Sequence, residues 1–457
     1  MARERLPTSL TMLALLAAGG ISACSGSPPT SPALDSDFFL GGIQVNEPDL
    51  DEWLDALITE GMNTISVTHY ARQGDWDTDH LWWDEQDEGI VPEIRAAKRR
   101  GMKVVLILRV ALDHAFPRNR FLWHGMIMPR TDDELASWFE RYGAFALHWA
   151  EIAEREGVDV LMIASEMNSL TSTVALDQLP NLEEYFLNEK KQDERRSEFM
   201  EFEEVIEERH LWLRGRENYP NLEEYLDARI AAEASWAAQL VRAGEEASLE
   251  RINHRRRLLE QGWIELIARL REVYRGQLGY AANFDQYHLV TFWDHLDLMG
   301  INAYFSLRDR LLPERDAAAL HALLLDGWKG VLAAIREFCL TQGLDDYPVI
   351  FTEMGYTSRA NSTIQPWADT GFSVVASEAG EELIVWQDQP EDPEERALAV
   401  RALYDAHQEM PEKFLHGILY WKLSTLESHR EIEPFLLIIG GPTDDPLAAE
   451  LRRFVSG

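Results

Sequence analysis

A closed barrel of eight β/α units is the fold the sequence predicts, and three observations predict it. Short apolar runs alternate with longer amphipathic ones from Phe38 to the C-terminus. The short runs are apolar along nearly their whole length, as strands buried on both faces of a parallel sheet must be. Eight strand-then-helix units fit on the chain, the number that closes a barrel. A doubly wound open sheet is the competing arrangement, but no glycine-rich dinucleotide or phosphate-binding signature follows the first strand.

The elements follow in order. FFLGGIQV (38–45) reads as the first strand, and residues 50–60 as a helix closed by Gly61. MNTISVTHY (62–70) is the second strand, followed by a helix over 90–100 that ends at Gly101. KVVLILRV (103–110) is the third. Thr131-Asp132-Asp133-Glu134 forms a capping box that opens a helix to about residue 156. VDVLMIAS (158–165) is the fourth strand, LGYAANF (278–284) the fifth and LDLMGINAYF (296–305) the sixth. A helix over 317–342 leads to YPVIFTE (347–353), the seventh. A helix over 393–407 leads to LHGILYWK (415–422), the eighth, and a last helix covers 445–455.

One segment breaks the rhythm. Residues 171–257 are highly charged, with runs such as NEKKQDERRSEFMEFEEVIEERH, where a single helix would suffice. PNLEEY occurs twice, at 180–185 and 220–225, and each proline–asparagine pair can start a helix. The segment reads as a helical insertion on the catalytic face or as a solvated decoration, with a protein partner as one use.

The chain has 457 residues, 46% of them hydrophobic, and a formal net charge of −36. Such a surface excludes a nucleic-acid partner, which needs basic groups against phosphate. It also disfavours adsorption onto anionic lipid. Two cysteines cannot build a disulfide framework. Cys339, in REFCL, is expected to be a buried small hydrophobe.

Cys24 stands apart. Arg3 and Arg5 precede an apolar run over 10–21 that is too short to span a bilayer, so residues 1–23 read as a secretory signal. Ile21-Ser22-Ala23-Cys24 resembles the bacterial lipobox, which implies lipid on Cys24. Residues 24–37 then form a flexible tether, and Ser25 resembles a signal for outer-membrane sorting. An ordinary signal peptide with a chance cysteine is the other reading. No further run was expected to be long and apolar enough to cross a membrane.

Catalytic groups in such barrels stand at the C-terminal ends of strands. Glu166 ends the fourth strand and Glu353 the seventh, each after an apolar run. Burying an ionised carboxylate is costly without a partner, so two at strand ends suggest function. Strands four and seven face each other across the mouth. Glycoside hydrolysis uses such a pair: one carboxyl protonates the leaving oxygen and the other attacks the anomeric carbon, at a separation of about 5–5.5 Å. The acid must hold its proton near neutral pH, by burial or by its partner's charge.

Two glutamates at these strand ends resemble the retaining, clan A glycoside hydrolases. FTEMGYTS (351–358), WDHLDLMGINAY (293–304), GVD (157–159) and YWK (420–422) are more closely similar to glycoside hydrolase family 113. The resemblance implies β-mannanase-type activity on β-linked glycans, with β-1,4-mannan or manno-oligosaccharides as substrate. It implies Glu166 as acid/base and Glu353 as nucleophile. Ser165 stands before Glu166 where clan members commonly carry asparagine.

Further residues are expected around the mouth. Tyr304, ending strand six, is placed to hydrogen-bond the nucleophile. Trp421, ending strand eight, offers a face for a pyranose ring. His69 and Tyr70 on strand two, Arg109 on strand three, and Asn283 and Asn302 on strands five and six are candidates for sugar hydroxyls. Trp83, with Trp82, is a candidate outer subsite. The run Asp75, Asp77, Asp79 lacks the glycine and terminal glutamate of a calcium loop. No zinc pattern is present, and neither metal nor cofactor is expected. The rival functional classes are a non-catalytic carbohydrate-binding surface lipoprotein and an interaction protein built on the insertion.

Overall fold

The computed structural model describes residues 38–85, 89–113, 123–171, 186–201, 216–242, 245–309, 311–312, 316–369, 372–376, 382–386, 388–441 and 445–455. The signal sequence, the tether and Cys24 lie outside the described residues, as do parts of the insertion.

Eight parallel strands close into a barrel. They are β1 (Phe39–Gln44), β2 (Thr64–Gln73), β3 (Lys103–Leu112), β4 (Val160–Ser165), β5 (Gln277–Asn283), β6 (Leu298–Asn302), β7 (Val349–Met354) and β8 (Leu415–Ser424). Each pairs with the next, and β1 pairs with both β8 and β2, so the sheet has no open edge along this ring. The eightfold reading of the sequence is therefore correct.

Alternation along the strands divides the core in two. Phe39, Val105, Ile107, Val160, Met162, Leu298, Ile350 and Leu419 fill the barrel interior. The opposite positions, such as Ile65, Val67, Leu161, Met299 and Phe351, pack outward against the helices. The same alternation decides which polar residues can reach the mouth.

The helices follow their sequence signals. Thr131 and Glu134 form the reciprocal capping box, and helix Asp132–Glu156 ends at Gly157 with φ 71°. A left-handed residue there carries no Cβ penalty because it is glycine. Helix Ala317–Thr341 is long and apolar enough to cross a membrane by length and composition, contrary to expectation. It buries Leu320, Leu324, Trp328, Leu332, Ile335 and Cys339, and Trp328 Nε1 donates to Ala399 O of the neighbouring helix at 2.9 Å.

The structure adds an antiparallel hairpin after β7, Phe372–Ala376 with Glu382–Trp386. Between β4 and β5 stand helices Asn168–Thr171, Glu189–Glu201, Leu222–Arg242 and Glu245–Val273. The expected insertion boundary at 257 falls inside the last of these. Its later part buries Leu259, Trp263, Leu266, Ile267 and Leu270, with Trp263 edge-on to Phe139 of helix Asp132–Glu156. That part serves as the barrel's own helix.

A buried ion cluster fastens the inserted helices to the loops after β2 and β3. Asp77 meets Arg229 at 2.5 Å and Arg130 at 3.2 Å. Glu233 meets Arg195 and Arg229 at 2.8 Å and Arg130 at 3.1 Å. Burial pushes the Asp77 carboxyl up, but Arg229, Arg130 and Arg195 outweigh it and hold it below its ordinary value.

Candidate active site

Glu166 follows β4 directly and takes a left-handed backbone, φ 53°. A non-glycine residue there costs roughly 1–3 kcal/mol and persists only when its surroundings impose it. Here they do. Glu166 N donates to Ala281 O at 2.8 Å, Met167 N to Tyr280 Oη at 2.9 Å and Asn168 N to Glu166 O at 2.9 Å. The register between β4 and β5 also slips between Met162 and Ser165.

The Glu166 carboxylate meets His124, with Oε2 and Nε2 2.9 Å apart. His124 begins a short 3₁₀ turn, His124–Met126, in the long loop after β3. No local signal in the chain marks it: it ends no strand and belongs to no motif. Burial pushes the Glu166 carboxyl up. The hydrogen bond and charge of His124, the charge of Arg109 and a hydrogen bond from Asn302 outweigh burial and hold it below the ordinary carboxylate range. In the free site the balance thus runs opposite to the raised value expected of the acid.

Glu353 lies within β7 and is 3% exposed. One carboxylate oxygen forms an ion pair with Arg109 Nη2, and the other accepts from Tyr304 Oη at 2.9 Å. Arg109 continues the inward series of Val105 and Ile107 on β3, which is why it reaches the mouth. Burial and the charge of Glu166 push the Tyr304 phenol well above its usual value, so it stays a donor.

Asn302 ties the two sides together. Its Nδ2 donates to Ser165 Oγ at 3.3 Å, and its Oδ1 accepts from Thr352 Oγ1 at 2.8 Å. These are the residues immediately before the two glutamates. Trp421 stands beside them at the end of β8. The Arg109 guanidinium lies 5.4 Å and the Lys422 ammonium 4.2 Å from its ring centroid, and the Trp421–Lys422 peptide is cis.

A model of Glycoside Hydrolase Family 113 matches residues 44–175 and 191–382, more than half of the chain. The chain belongs to glycoside hydrolase family 113. Both glutamates, Arg109, His124, Asn302 and Tyr304 of this family 113 enzyme lie inside the matched segments, and β8 lies beyond them. The family implies a carbohydrate substrate. Solved structures share the fold. The family 113 β-mannanase from Alicyclobacillus acidocaldarius, in complex with ManMIm, aligns with TM-score 0.56 at 17% identity, covering 93% of this chain and 100% of that one. A family 113 β-1,4-mannanase aligns with TM-score 0.54 at 16% identity, covering 92% and 98%. No curated protein matches the chain.

The other expected residues divide by strand face. Asn283 ends β5 on the inward-facing series, and its Oδ1 is buried without a hydrogen-bond partner. Tyr70 pairs in register with Arg109 and is 40% exposed. His69 does not join the family 113 site. It shares the outward series of Ile65, Val67 and Ala71, and its ring lies 3.9 Å from that of Trp149 and 5.6 Å from that of Phe145. Trp83 packs into the same layer, 5.6 Å from Phe145, rather than forming an open platform. Trp82 packs against the cluster of Phe199, Leu222, Tyr225 and Leu226 from the inserted helices.

Proposed function

We propose that this family 113 enzyme hydrolyses β-linked glycans with retention, through Glu353 as nucleophile and Glu166 as acid/base. The observation that carries the reading is the unequal pairing of the two carboxylates. Arg109 and Tyr304 stabilise Glu353 as an anion, the state a nucleophile needs. Among the described residues, Glu166 faces no arginine at contact distance but hydrogen-bonds the imidazole of His124 at 2.9 Å.

In the first step the Glu353 carboxylate attacks the anomeric carbon. The bond to the leaving oxygen breaks, and Glu166 gives that oxygen its proton. In the second step Glu166, now a carboxylate, takes a proton from water. The water oxygen attacks the anomeric carbon, and the Glu353 ester bond breaks to release the sugar. Trp421 supplies an apolar face to the reacting ring. β-1,4-Mannan or manno-oligosaccharides are the favoured substrates, on the likeness to the β-mannanases.

A panel of β-linked glycans, with wild type, Glu166→Ala and Glu353→Ala, tests the reading. Wild type should cleave a mannan substrate and the variants should not. A 2-fluoro sugar should label Glu353. Binding without cleavage of any glycan would instead favour a carbohydrate-binding lipoprotein.

We also propose that lipid on Cys24 anchors the enzyme to the cell envelope, at the outer membrane, with the 24–37 tether as spacer. The support is the lipobox-like sequence. Cys24→Ala should move the protein out of the membrane fraction; continued retention would sink the proposal. A protein partner for the 171–257 insertion is the companion expectation, tested by pull-down with and without the segment.

A further inference from the structure

Trp367 is 44% exposed, unusual for so large an apolar side chain. It stands in the loop after β7, on the same end of the barrel as the two glutamates. It is not loosely placed. Its ring stacks on Phe284, with centroids 5.2 Å apart and planes 20° from parallel. Phe284 is braced edge-on by Phe305 at 5.7 Å. Phe284 follows β5 and Phe305 follows β6, so three consecutive strand ends converge on one aromatic face.

The loop itself is tied down. Arg308 donates to Thr363 Oγ1 at 2.8 Å and to Asn361 Oδ1 at 2.9 Å, and pairs with the buried Glu395 at 2.8 Å. Glu395 also accepts from the Thr363 hydroxyl at 2.6 Å and from Asn361 N at 2.9 Å. Leu307 N donates to Thr363 O at 2.9 Å. A buried ion pair thus holds the segment that presents an exposed tryptophan.

Two polar atoms nearby in the chain lack partners. Oδ1 of Asn283, next to Phe284, and Oε1 of Gln365, two residues before Trp367, are buried acceptors without a hydrogen-bond partner. Such acceptors are costly to leave unmade and are satisfied by hydroxyl donors. A rigid apolar face with hydroxyl-seeking acceptors matches a pyranose ring, which has C–H faces and an equatorial rim of hydroxyls. Asp285, one residue past Phe284, has its carboxyl pushed up by burial foremost, with the charge of Glu166 among the lesser causes.

We propose that Trp367, stacked on Phe284, is a platform for a sugar on the leaving-group side of the scissile bond. The proposal rests on the assignment of Glu166 as acid/base, because the leaving sugar lies on the side of the group that protonates it. Trp421 lies against Arg109, the cation paired with Glu353, and the proposal therefore gives it the other side of the bond.

Binding to the Glu166→Ala protein tests this without needing turnover. β-1,4-Linked manno-, gluco-, xylo- and galacto-hexasaccharides would be titrated by calorimetry, with and without Trp367→Ala. The best hexasaccharide should lose about 5- to 10-fold in affinity, as truncation of an anchoring tryptophan does. Trp367→Phe should restore most of it. In the wild-type background, Trp367→Ala should lower kcat/KM on the oligosaccharide far more than on the matching glycosyl fluoride, whose leaving group is too small to reach the platform. Unchanged hexasaccharide affinity, no binding by any hexasaccharide, or equal losses on fluoride and oligosaccharide substrates would each overturn the platform. Trp367-dependent binding with no cleavage by wild type would sink the hydrolytic reading, and with it the leaving-group side, and would leave Trp367 as a sugar-binding platform alone.

Discussion

The two glutamates end strands of one barrel, yet they are held by opposite means. Glu353 sits within β7, where the register shifts against both neighbouring strands, and meets a guanidinium and a phenol. Glu166 sits past its strand on a left-handed backbone and meets an imidazole. Arginine keeps its charge at any accessible pH, whereas histidine changes charge near neutrality. The carboxylate with the permanent cation suits a group that must begin ionised. The carboxylate that faces an imidazole is the one that must change protonation twice per turnover. The difference between the sites is therefore a difference in the partner each carboxylate meets.

The sharpest way to break this comparison is to remove each carboxylate in turn. Glu353→Ala should bring hydrolysis of every substrate to background. Glu166→Ala should lose about 10²–10⁴-fold on glycans with poor leaving groups and much less on activated aryl glycosides. Steady-state kinetics on both substrate types decides it. Equal losses across substrates for the two variants would erase the asymmetry.

Arg109→Leu comes next. It leaves Glu353 buried without its cation, and breaking one partner of a buried pair costs about 3–5 kcal/mol. Thermal unfolding should record the loss, and kcat/KM should fall with it. Because Arg109 also acts electrostatically on Glu166, the variant should raise the pH of the alkaline limb as well.

These partners show where the sequence was legible and where it was not. Arg109 was readable because two inward apolar residues, Val105 and Ile107, fix its strand face, and both glutamates because they close apolar runs. His69 looked equivalent to Arg109. It is not, because β2 and β3 pair Tyr70, not His69, with Arg109, and alternation turns His69 outward with Ile65 and Val67, onto Trp149. A strand end can be read from composition, but the facing of one residue depends on its register with the neighbouring strand. His124 was out of reach for another reason. It stands in the short turn His124–Met126, outside any strand, and no spacing near it in the chain encodes Glu166 as its neighbour. The insertion boundary failed similarly: helix Glu245–Val273 passes from charged to core-facing without a break, so composition shifts where structure does not.

Tyr304→Phe removes a neutral donor from Glu353 and keeps the ring. A hydrogen bond to a charged group contributes about 1.5–3 kcal/mol, so kcat should fall about 10- to 100-fold if the bond persists into the transition state. Arg109 remains, so Tm should move less than in Arg109→Leu. A larger thermal loss for Tyr304→Phe would make the phenol, and not the guanidinium, the main support of the nucleophile.

His124→Ala should have the smallest effect on rate and the most informative effect on pH dependence. Burial alone would raise the Glu166 carboxyl, and His124 is the foremost of the groups that bring it down. Removing His124 therefore raises the Glu166 pKa. The first step needs Glu166 protonated, so kcat/KM declines as pH rises through that pKa. The alkaline limb should move to higher pH in His124→Ala. His124→Gln keeps a hydrogen-bond donor and loses the charge, so its limb should lie between the two. An unmoved limb, or one displaced to lower pH, would separate His124 from the proton on Glu166. The contrast between the guanidinium and the imidazole would then describe packing rather than catalysis.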